Sequence, residues 1–385
     1  MDFRLNEFQR ALELSVREFV DREVIPVASE YEHRDEYPQP LVDRMKALGY
    51  FGAIIPEENG GAGMDAMSFA ILTEELARGW MTLTGVIGSH SMVSWMVSRF
   101  GSEVQKRDWL PRLAAGEMRT GIGITESGGG SDVAALRSAA RREGNNYIVN
   151  GSKMFVTNSE NATHFGVMVR TNPNADKPHR GISCLMMDRS LDGFQVSRHL
   201  DKLGYKGIRT GELIFEECPV PEDCLIGEEN QGFQQLMAAL ELGRIQVAAR
   251  ALGLHRACFE ASLKYAQQRH TMGKPIAEHQ AVQLKLADMA TSLEAGRHLT
   301  YRAAVMKDSG ERCDLEAGMA KLFATDAAQR ASEVAIHIHG GYGYIKELPI
   351  ERYYRDAILL QVGEGANDIQ RIVIAQRLVE KYPAQ

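Results

Sequence analysis

The sequence predicts an α+β protein of several domains, in which helices come first, short strands follow and helices return. The chain has 385 residues, more than twice the ~150 residues of a typical domain. Apolar residues recur every three to four positions towards both ends, whereas β-branched and aromatic residues form short runs in the middle. Because strands and helices are separated instead of alternating, the order argues against a Rossmann architecture.

Residues 1–118 are predicted to form a helical domain. A second helix is expected from Pro40 to Leu48 and a third from Met64 to Ala77, with the turn PEENGGAG between them. The first helix is indicated by apolar residues at helical spacing, which are Leu5, Phe8, Leu12, Leu14, Val16 and Phe19.

The segment from Gly79 to Ser98 contains no charged residue and is about as long as a membrane-spanning helix of ~20 residues. It nevertheless carries several Ser, Thr and His side chains, and no other segment resembles it. We therefore predict a buried helix and no membrane span.

Residues 119–228 are predicted to form a middle domain built on an antiparallel sheet or barrel, and residues 229–385 a C-terminal helical domain. Strands are expected at 146–158, 165–171, 181–188, 194–200 and 211–221. Helices are expected at 232–269, 279–306, 314–340 and 366–382.

Charge and cysteine content exclude several classes of protein. A net charge of −7 provides no basic field for nucleic acid or an anionic membrane. Five cysteines without a CxxC pair argue against a zinc ribbon and fit a reducing compartment. The N-terminal residues resemble neither a signal peptide nor a transit sequence. A prokaryotic cytoplasm is therefore expected, with the mitochondrial matrix open only if a transit peptide is missing from this chain.

The glycine-rich stretch GIGITESGGGSD (121–132) has neither the GxGxxG spacing of dinucleotide-binding folds nor the pattern of a phosphate loop. Its glycines, Gly128 to Gly130, would allow the backbone to approach a ligand closely. Taken alone, the stretch is more typical of a flexible surface turn.

Five separated motifs, in this order, resemble those of the acyl-CoA dehydrogenase family of flavoproteins. They are GITESGGGSDVAA (123–135), MFVTN (154–158), RHTMGKPIAEHQAVQLKLADM (269–289), HIHGGYGYIKELPIERYYRD (337–356) and YRDAILLQVGEGANDIQR (354–371). The resemblance covers essentially the whole chain. It implies an N-terminal helical domain, a middle antiparallel β-barrel domain, a C-terminal four-helix-bundle domain, and FAD as the cofactor.

The same resemblance implies the site residues. Arg269 and Gln280 would reach the pyrophosphate and adenylate end of the flavin across a subunit interface. The residues implied for the substrate are Ser131, Glu241, Arg244 and Gly365. Those implied for the cofactor are Ile122, Ile124, Thr125, Gly130, Ser131, Phe155, Val156, Thr157, Arg269, Thr271, Gln280, His337, Gly340, Gly341, Ala366 and Asp368.

Some positions depart from the family pattern. Phe155 stands where Trp is usual, His337 where Gln is usual and Ala366 where Thr is common. His337 and His339 are two residues apart and would point apart on a helix, so no metal site is expected.

Glu364 occupies the position of the catalytic base in most members of the family. Some members carry the base on the long middle helix instead, where this chain has Gly243, in LELGRI. Glu364 is therefore the expected base, and Glu241 is the next candidate.

The implied reaction removes a proton and a hydride from adjacent carbons of an acyl-CoA thioester, giving the 2-enoyl-CoA. The implied partners are electron-transfer flavoprotein as electron acceptor and further copies of the chain in a homotetramer. An oxidase, monooxygenase or desulfinase on the same fold, or a non-catalytic assembly protein, are the alternatives.

The acyl group is left open by the sequence. Met92, Trp95, Met96 and Leu240 could line its pocket or pack the core. Arg209, in GYKGIRTGEL, could be a surface charge or could bind an unusual polar substrate.

Overall fold

The computed structural model describes residues 4–384, and it consists of helical N-terminal and C-terminal domains on either side of a curled middle sheet. The helices of the first part are α1 (Glu7–Phe19), α2 (Ile25–Arg34), α3 (Gln39–Ala47), α4 (Ala66–Phe100) and α5 (Glu103–Ala114). The helices of the last part are α6 (Gly232–Gln268), α7 (Gln280–Asp308), α8 (Asp314–His339), α9 (Gly341–Tyr344), α10 (Ile350–Val362) and α11 (Asn367–Lys381).

The predicted third helix and the uncharged segment follow each other in α4, which consists of two helical parts joined at a kink. Trp80 interrupts it with an extended backbone conformation (φ −160°, ψ 111°). Nearly every side chain of α4 is buried, which explains why the segment lacks charge. Within residues 4–384, no helix combines the length and the apolar character needed to cross a membrane.

The middle domain contains a seven-stranded sheet. Its strands are β1 (Thr120–Gly123), β2 (Ala139–Glu143), β3 (Asn146–Thr157), β4 (His164–Arg170), β5 (Ile182–Asp188), β6 (Phe194–His199) and β7 (Thr210–Pro221). The order is β1-β4-β2-β3-β7-β6, with β5 paired to β4. A short hairpin, β8 (His270–Thr271) and β9 (Lys274–Pro275), follows α6.

The sheet is mainly antiparallel, as expected, but it also contains parallel pairs. Strand β4 pairs in parallel with β1 and, at one position, with β2, while the other pairs are antiparallel. Strands β1 and β2 were not predicted, because TGIG is only four residues long with two glycines and AARRE has no β-branched or aromatic residue. Their pairing with β4 is a tertiary contact that no local pattern encodes.

The helix α6 packs closely along α4 and carries several residues of the site. At Gly253, an added Cβ would lie 2.2 Å from the carbonyl oxygen of Glu74 on α4, so only glycine allows this approach. In the C-terminal bundle α6 packs against α8, α7 and α10 contact both of these helices, and α11 contacts α8.

A buried ionic network fixes α4 against its neighbours. The carboxylate of Glu75 lies 2.5 Å from Arg256 on α6 and 2.8 Å from Arg17 on α1. The adjacent Glu74 pairs with Arg297 on α7 at 2.8 Å. Because both carboxylates are almost fully buried, loss of one partner would leave an uncompensated charge in the core.

Candidate active site

The predicted base, Glu364, lies in the short loop between α10 and α11. Its backbone has φ +51°, and the next residue, Gly365, has φ +84°. A left-handed conformation is unfavourable for a residue with a side chain, and such strain concentrates at functional sites. The loop therefore holds the carboxylate of Glu364 in place with a strained backbone.

Lys321 of α8 holds this loop in place. Its ammonium group donates to the carbonyl oxygens of Gly365 (3.0 Å) and Gln361 (3.4 Å) and to Oδ1 of Asn367 (2.8 Å). The side chain is fully buried, and burial lowers the pKa of Lys321 to about 8. No local pattern predicts this role of Lys321, because it depends on three acceptors that lie far away in the chain.

The carboxylate of Glu364 is partly enclosed. Its side chain is 25% exposed, and Oε2 is buried without a hydrogen-bond partner. Burial raises the pKa of Glu364, against the opposing effect of the cations Arg250, Lys321 and Arg244. A raised pKa makes a carboxylate a better general base.

The alternative base position lies directly against Glu364. A Cβ added at Gly243 of α6 would lie 2.7 Å from Oε2 of Glu364 and 3.4 Å from Sδ of Met92. The glycine is therefore what makes room for the carboxylate that comes from the loop.

Glu241 is engaged elsewhere. Its Oε2 lies 2.8 Å from Nζ of Lys307 and 4.0 Å from Sγ of Cys313. Nearby, Nε of Arg244 is buried without a partner, and burial lowers the pKa of Arg244. An unpartnered guanidinium N–H at this place is suited to an anionic ligand.

The glycine-rich stretch is anchored to the sheet by an ion pair that the sequence analysis missed. Lys153 of β3, fully buried, donates to Oε1 of Glu126 at 2.7 Å and to the carbonyl oxygen of Ile124 at 3.3 Å. Glu126 also accepts from the backbone N–H groups of Arg137 and Ser138. The pKa of Glu126 falls to about 2, because these hydrogen bonds and the charge of Lys153 outweigh burial, which raises it.

This anchoring places the first group of predicted flavin residues together. The carbonyl oxygen of Thr125 accepts from the backbone N–H of Met154 at 2.8 Å, so the stretch lies beside β3. Gly130 and Ser131 are exposed, and a Cβ at Gly130 would be 3.1 Å from Thr125. Ile122 and Ile124 are half-buried and pack on a cluster that contains Met92 and Met96.

Phe155 marks the exposed side of this group. Its side chain is 64% exposed and its backbone has φ +58°, at an irregularity in the pairing of β3 with β7. Thr157 is half-buried, whereas Val156 is buried in the core of the sheet. Val156 can therefore offer a ligand its backbone but not its side chain.

A second group of predicted flavin residues lines a separate pocket of about 560 Å³. Five predicted residues converge there from the hairpin β8–β9 and the end of α8, namely Arg269, Thr271, His337, Gly340 and Gly341. A Cβ at Gly340 or Gly341 would meet no atom within 4 Å, so the backbone is open to a ligand. The pocket contains none of the residues of the middle sheet.

The remaining predicted residues lie at helix ends. Gln280 is the exposed first residue of α7, and Ala366 precedes α11 as its N-cap. Gly365 is exposed. The carboxylate of Asp368 is 91% exposed and pairs with Arg371 at 3.1 Å, so it points to solvent in this chain.

Of the residues that the sequence left open for the acyl group, Met92 lies against Gly243, which also contacts the base. Met96 is buried in the core. Trp95 packs against Phe100, and Nζ of Lys307 lies 5.2 Å from its ring centroid. Leu240 is half-buried against the same cluster as Met92.

Arg209, the other open position, forms ion pairs. Its Nη1 lies 3.4 Å from Oδ2 of Asp35, and its Nε lies 3.6 Å from Oε2 of Glu160. Arg209 is thus a charge at the contact between α2 and the middle sheet, and the structure does not bring it to the base.

Comparison with known proteins decides the family. An acyl-CoA dehydrogenase of Bacillus subtilis (strain 168) is 41% identical over 365 residues, which cover 94% of this chain and 96% of that protein. The chain belongs to the acyl-CoA dehydrogenase family. Three family models match it in sequence order: the acyl-CoA dehydrogenase N-terminal domain over residues 6–117, the middle domain over 121–218 and the C-terminal domain over 230–379.

Solved structures of acyl-CoA dehydrogenase relatives have the same fold. Butyryl-CoA dehydrogenase from Megasphaera elsdenii is 34% identical with a TM-score of 0.95, and the match covers 98% of this chain and 100% of that one. A chain in the structure of the electron transferring flavoprotein of Acidaminococcus fermentans is 36% identical with a TM-score of 0.96, with coverage of 98% and 100%. The predicted family, its fold and an oxidoreductase activity are therefore confirmed.

Proposed function

We propose that this acyl-CoA dehydrogenase uses FAD to convert an acyl-CoA thioester into the 2-enoyl-CoA, with Glu364 as the base. The observation that carries the proposal is the placement of Glu364, whose carboxylate is aimed by a strained loop, largely enclosed, and accommodated by Gly243. Butyryl-CoA dehydrogenase, the name of a structural relative, supports an acyl-CoA substrate.

Glu364 is the residue of this chain that would carry out the proton transfer. Glu364 accepts the proton from the carbon next to the thioester, and its raised pKa favours that transfer. By resemblance, the backbone N–H of Glu364 holds the thioester oxygen, where negative charge develops, and such a donor contributes about 3 kcal/mol. FAD, when bound, supplies the acceptor for the hydride that leaves the adjacent carbon.

The residues present fit FAD. The middle-sheet group offers exposed glycines, hydroxyl groups and the exposed ring of Phe155, which suit a flat ring system. The pocket of the second group offers Arg269 and two open glycines, which suit a pyrophosphate. Arg244 would hold an anionic part of CoA.

A homotetramer is proposed because the two groups of flavin residues lie in separate places on one chain. A flavin bound to the middle sheet of one subunit can be completed by the pocket of another. A groove of about 930 Å³ on α7, α8 and α11 supports such contacts, since it is lined by apolar residues such as Leu299, Phe323 and Ile374. Leu284 and Ile372, on α7 and α11, are 61% and 52% exposed, which is typical of surfaces that pack against a partner.

Electron-transfer flavoprotein is the proposed acceptor, supported by the relative found in the structure of an electron transferring flavoprotein. A prokaryotic cytoplasm is supported by the bacterial relative. The boundaries at 118/119 and 228/229 are supported by the change from helices to strands and back.

The test is to purify the protein, record the flavin absorption spectrum and measure oxidation of straight, branched, cyclic and dicarboxylic CoA thioesters. We expect a yellow protein that reduces a ferrocenium acceptor faster than it produces hydrogen peroxide. Dominant peroxide would indicate an oxidase or monooxygenase. A colourless protein that cannot be reconstituted with FAD would indicate an assembly protein.

A further inference from the structure

Arg250 is a buried cation beside the proposed base. It lies on α6, two helical turns after Gly243, and its side chain is only 9% exposed. Its Nη1 is 3.6 Å from Oε1 of Glu364, and its Nη2 is 3.5 Å from the carbonyl oxygen of Thr84. Its Nε is buried without a partner. Good hydrogen bonds of N–H groups are shorter, at about 2.7–3.2 Å, so this guanidinium lacks strong acceptors.

The opposite helix is shaped to receive the guanidinium. A Cβ added at Gly88 of α4 would lie 2.1 Å from Nη2 of Arg250 and 3.5 Å from Nε2 of Gln246. That Nε2 is also buried without a partner. Two donor side chains from successive turns of α6 therefore meet Gly88 with donor capacity unused, and one of them, Arg250, also faces Glu364. Buried donors without acceptors are rare in folded proteins.

The charge next to Arg250 changes when Glu364 accepts a proton. Within the described residues 4–384, Glu364 is the only carboxylate within 4.0 Å of Arg250. Once Glu364 accepts the substrate proton it becomes neutral, and Arg250 is left as a buried cation without a counter-ion. Such a state is costly. A second anion at this place would keep the cation compensated through the whole reaction.

We propose that the preferred substrate is a short acyl-CoA whose acyl group ends in a carboxylate, which Arg250 binds. This inference rests on the proposed function and specifies its substrate class. A carboxylate can accept two parallel N–H bonds from a guanidinium, and Gln246 supplies a further donor. The chain between thioester and carboxylate is short, because the guanidinium lies within 3.6 Å of the group that removes the α proton.

The carboxylate takes no part in bond breaking. The α proton goes to Glu364, the β hydride goes to the bound FAD, and the distal carboxylate stays ionised. By engaging Arg250, it also releases Glu364 from the cation that opposes its protonation. Arg250 is thus a specificity-determining residue, whereas Arg209 already has two carboxylate neighbours and is excluded from this role.

The experiment compares three thioesters on the FAD-loaded enzyme: glutaryl-CoA, its neutral methyl ester, and butyryl-CoA. We expect the wild type to have a kcat/KM for glutaryl-CoA at least about tenfold above that for the ester, and Arg250→Gln to reduce this ratio by about 10- to 100-fold. Arg250→Lys, which keeps the charge, should retain part of the preference. Arg209→Gln is the matched control and should leave the ratio unchanged.

A binding measurement gives a second readout. Calorimetric titration with glutaconyl-CoA and crotonyl-CoA, the corresponding unsaturated products, should show tighter binding of the first to the wild type, and this difference should shrink in Arg250→Gln.

Two results would overturn the inference while leaving the dehydrogenase function intact. One is a wild type whose kcat/KM for the ester or for butyryl-CoA equals its kcat/KM for glutaryl-CoA. The other is an Arg250→Gln variant that slows all three substrates equally, which would mean that Arg250 serves only as the counter-ion of Glu364. If no thioester is oxidised, the proposed function fails. In that case the binding measurement still tests Arg250, and equal affinity of the wild type for glutaconyl-CoA and crotonyl-CoA would overturn its proposed role.

Discussion

A methyl group on Gly243 would lie 2.7 Å from Oε2 of Glu364, so the glycine on α6 and the carboxylate on the loop occupy one site. A carboxylate reaching this place from α6 would need the space that Glu364 fills. The contact supports Glu364 as the base and makes the glycine testable.

Gly243→Ala is expected to displace the carboxylate. Because a misplacement of about 1 Å can cost ~100-fold in rate, kcat should fall by about 10- to 100-fold with the flavin spectrum unchanged. Gly318→Ala on α8 is the control, since its Cβ would make only ordinary contacts of 3.4 Å or more. Equal activity of the two variants would contradict the steric argument.

Glu364→Gln is expected to retain flavin and acyl-CoA binding but to lose dehydrogenation, because the amide cannot accept the proton. General-base contributions suggest a decrease in kcat of about 10²- to 10⁴-fold. Glu241→Gln is the matched control and should remain active, as that carboxylate pairs with Lys307. Near-normal turnover of Glu364→Gln together with an inactive Glu241→Gln would indicate that Glu241 on α6 is the base.

Lys321→Met is expected to disturb the loop of Glu364 and to change its titration. Lys321 both donates to the loop and lowers the pKa of Glu364 electrostatically. Removing the cation should therefore move the acidic limb of the pH profile of kcat/KM to higher pH, in addition to lowering kcat. Lys264→Met, at an exposed position of α6, should show neither change. A lower kcat with an unshifted pH limb would mean that Lys321 acts only as a structural support.

The Glu126–Lys153 pair predicts a pH-dependent stability. In the folded protein the pKa of Glu126 is about 2, below its ordinary 4.5, so the folded state binds fewer protons than the unfolded state between these values. Its stabilisation is present above pH 4.5 and is lost as the pH falls towards 2. Glu126→Gln should lower the melting temperature at pH 7, and the difference from wild type should shrink on acidification.

Glu143→Gln serves as the control for this pair, because Glu143 is exposed and lies 3.4 Å from the equally exposed Arg141. Surface pairs of this kind contribute about 0–1 kcal/mol, so its melting temperature should follow that of the wild type. A difference between Glu126→Gln and wild type that stays constant down to pH 2 would exclude the ionised pair as the cause.

Local residue patterns predicted the long helices and most strands well, because helices and strands have their own periods of apolar residues. The expected helices at 279–306 and 314–340 correspond to α7 and α8, and the expected strand at 146–158 corresponds to β3. The motif VGEGAND also pointed to Glu364 through family resemblance, without any knowledge of its surroundings.

The amino-acid sequence alone thus determined the succession of helices and strands, the family and the predicted base. Only the tertiary structure decided that β4 pairs in parallel with β1, that Lys321 holds the loop and that Arg250 faces Glu364. The reason is physical: a local pattern reports which face of a segment is apolar, whereas the position of a buried charge depends on which distant segments pack around it. Arg209 and Arg250 are both single arginines in the sequence, and burial and partners alone make one an ion-paired surface charge and the other a candidate substrate anchor.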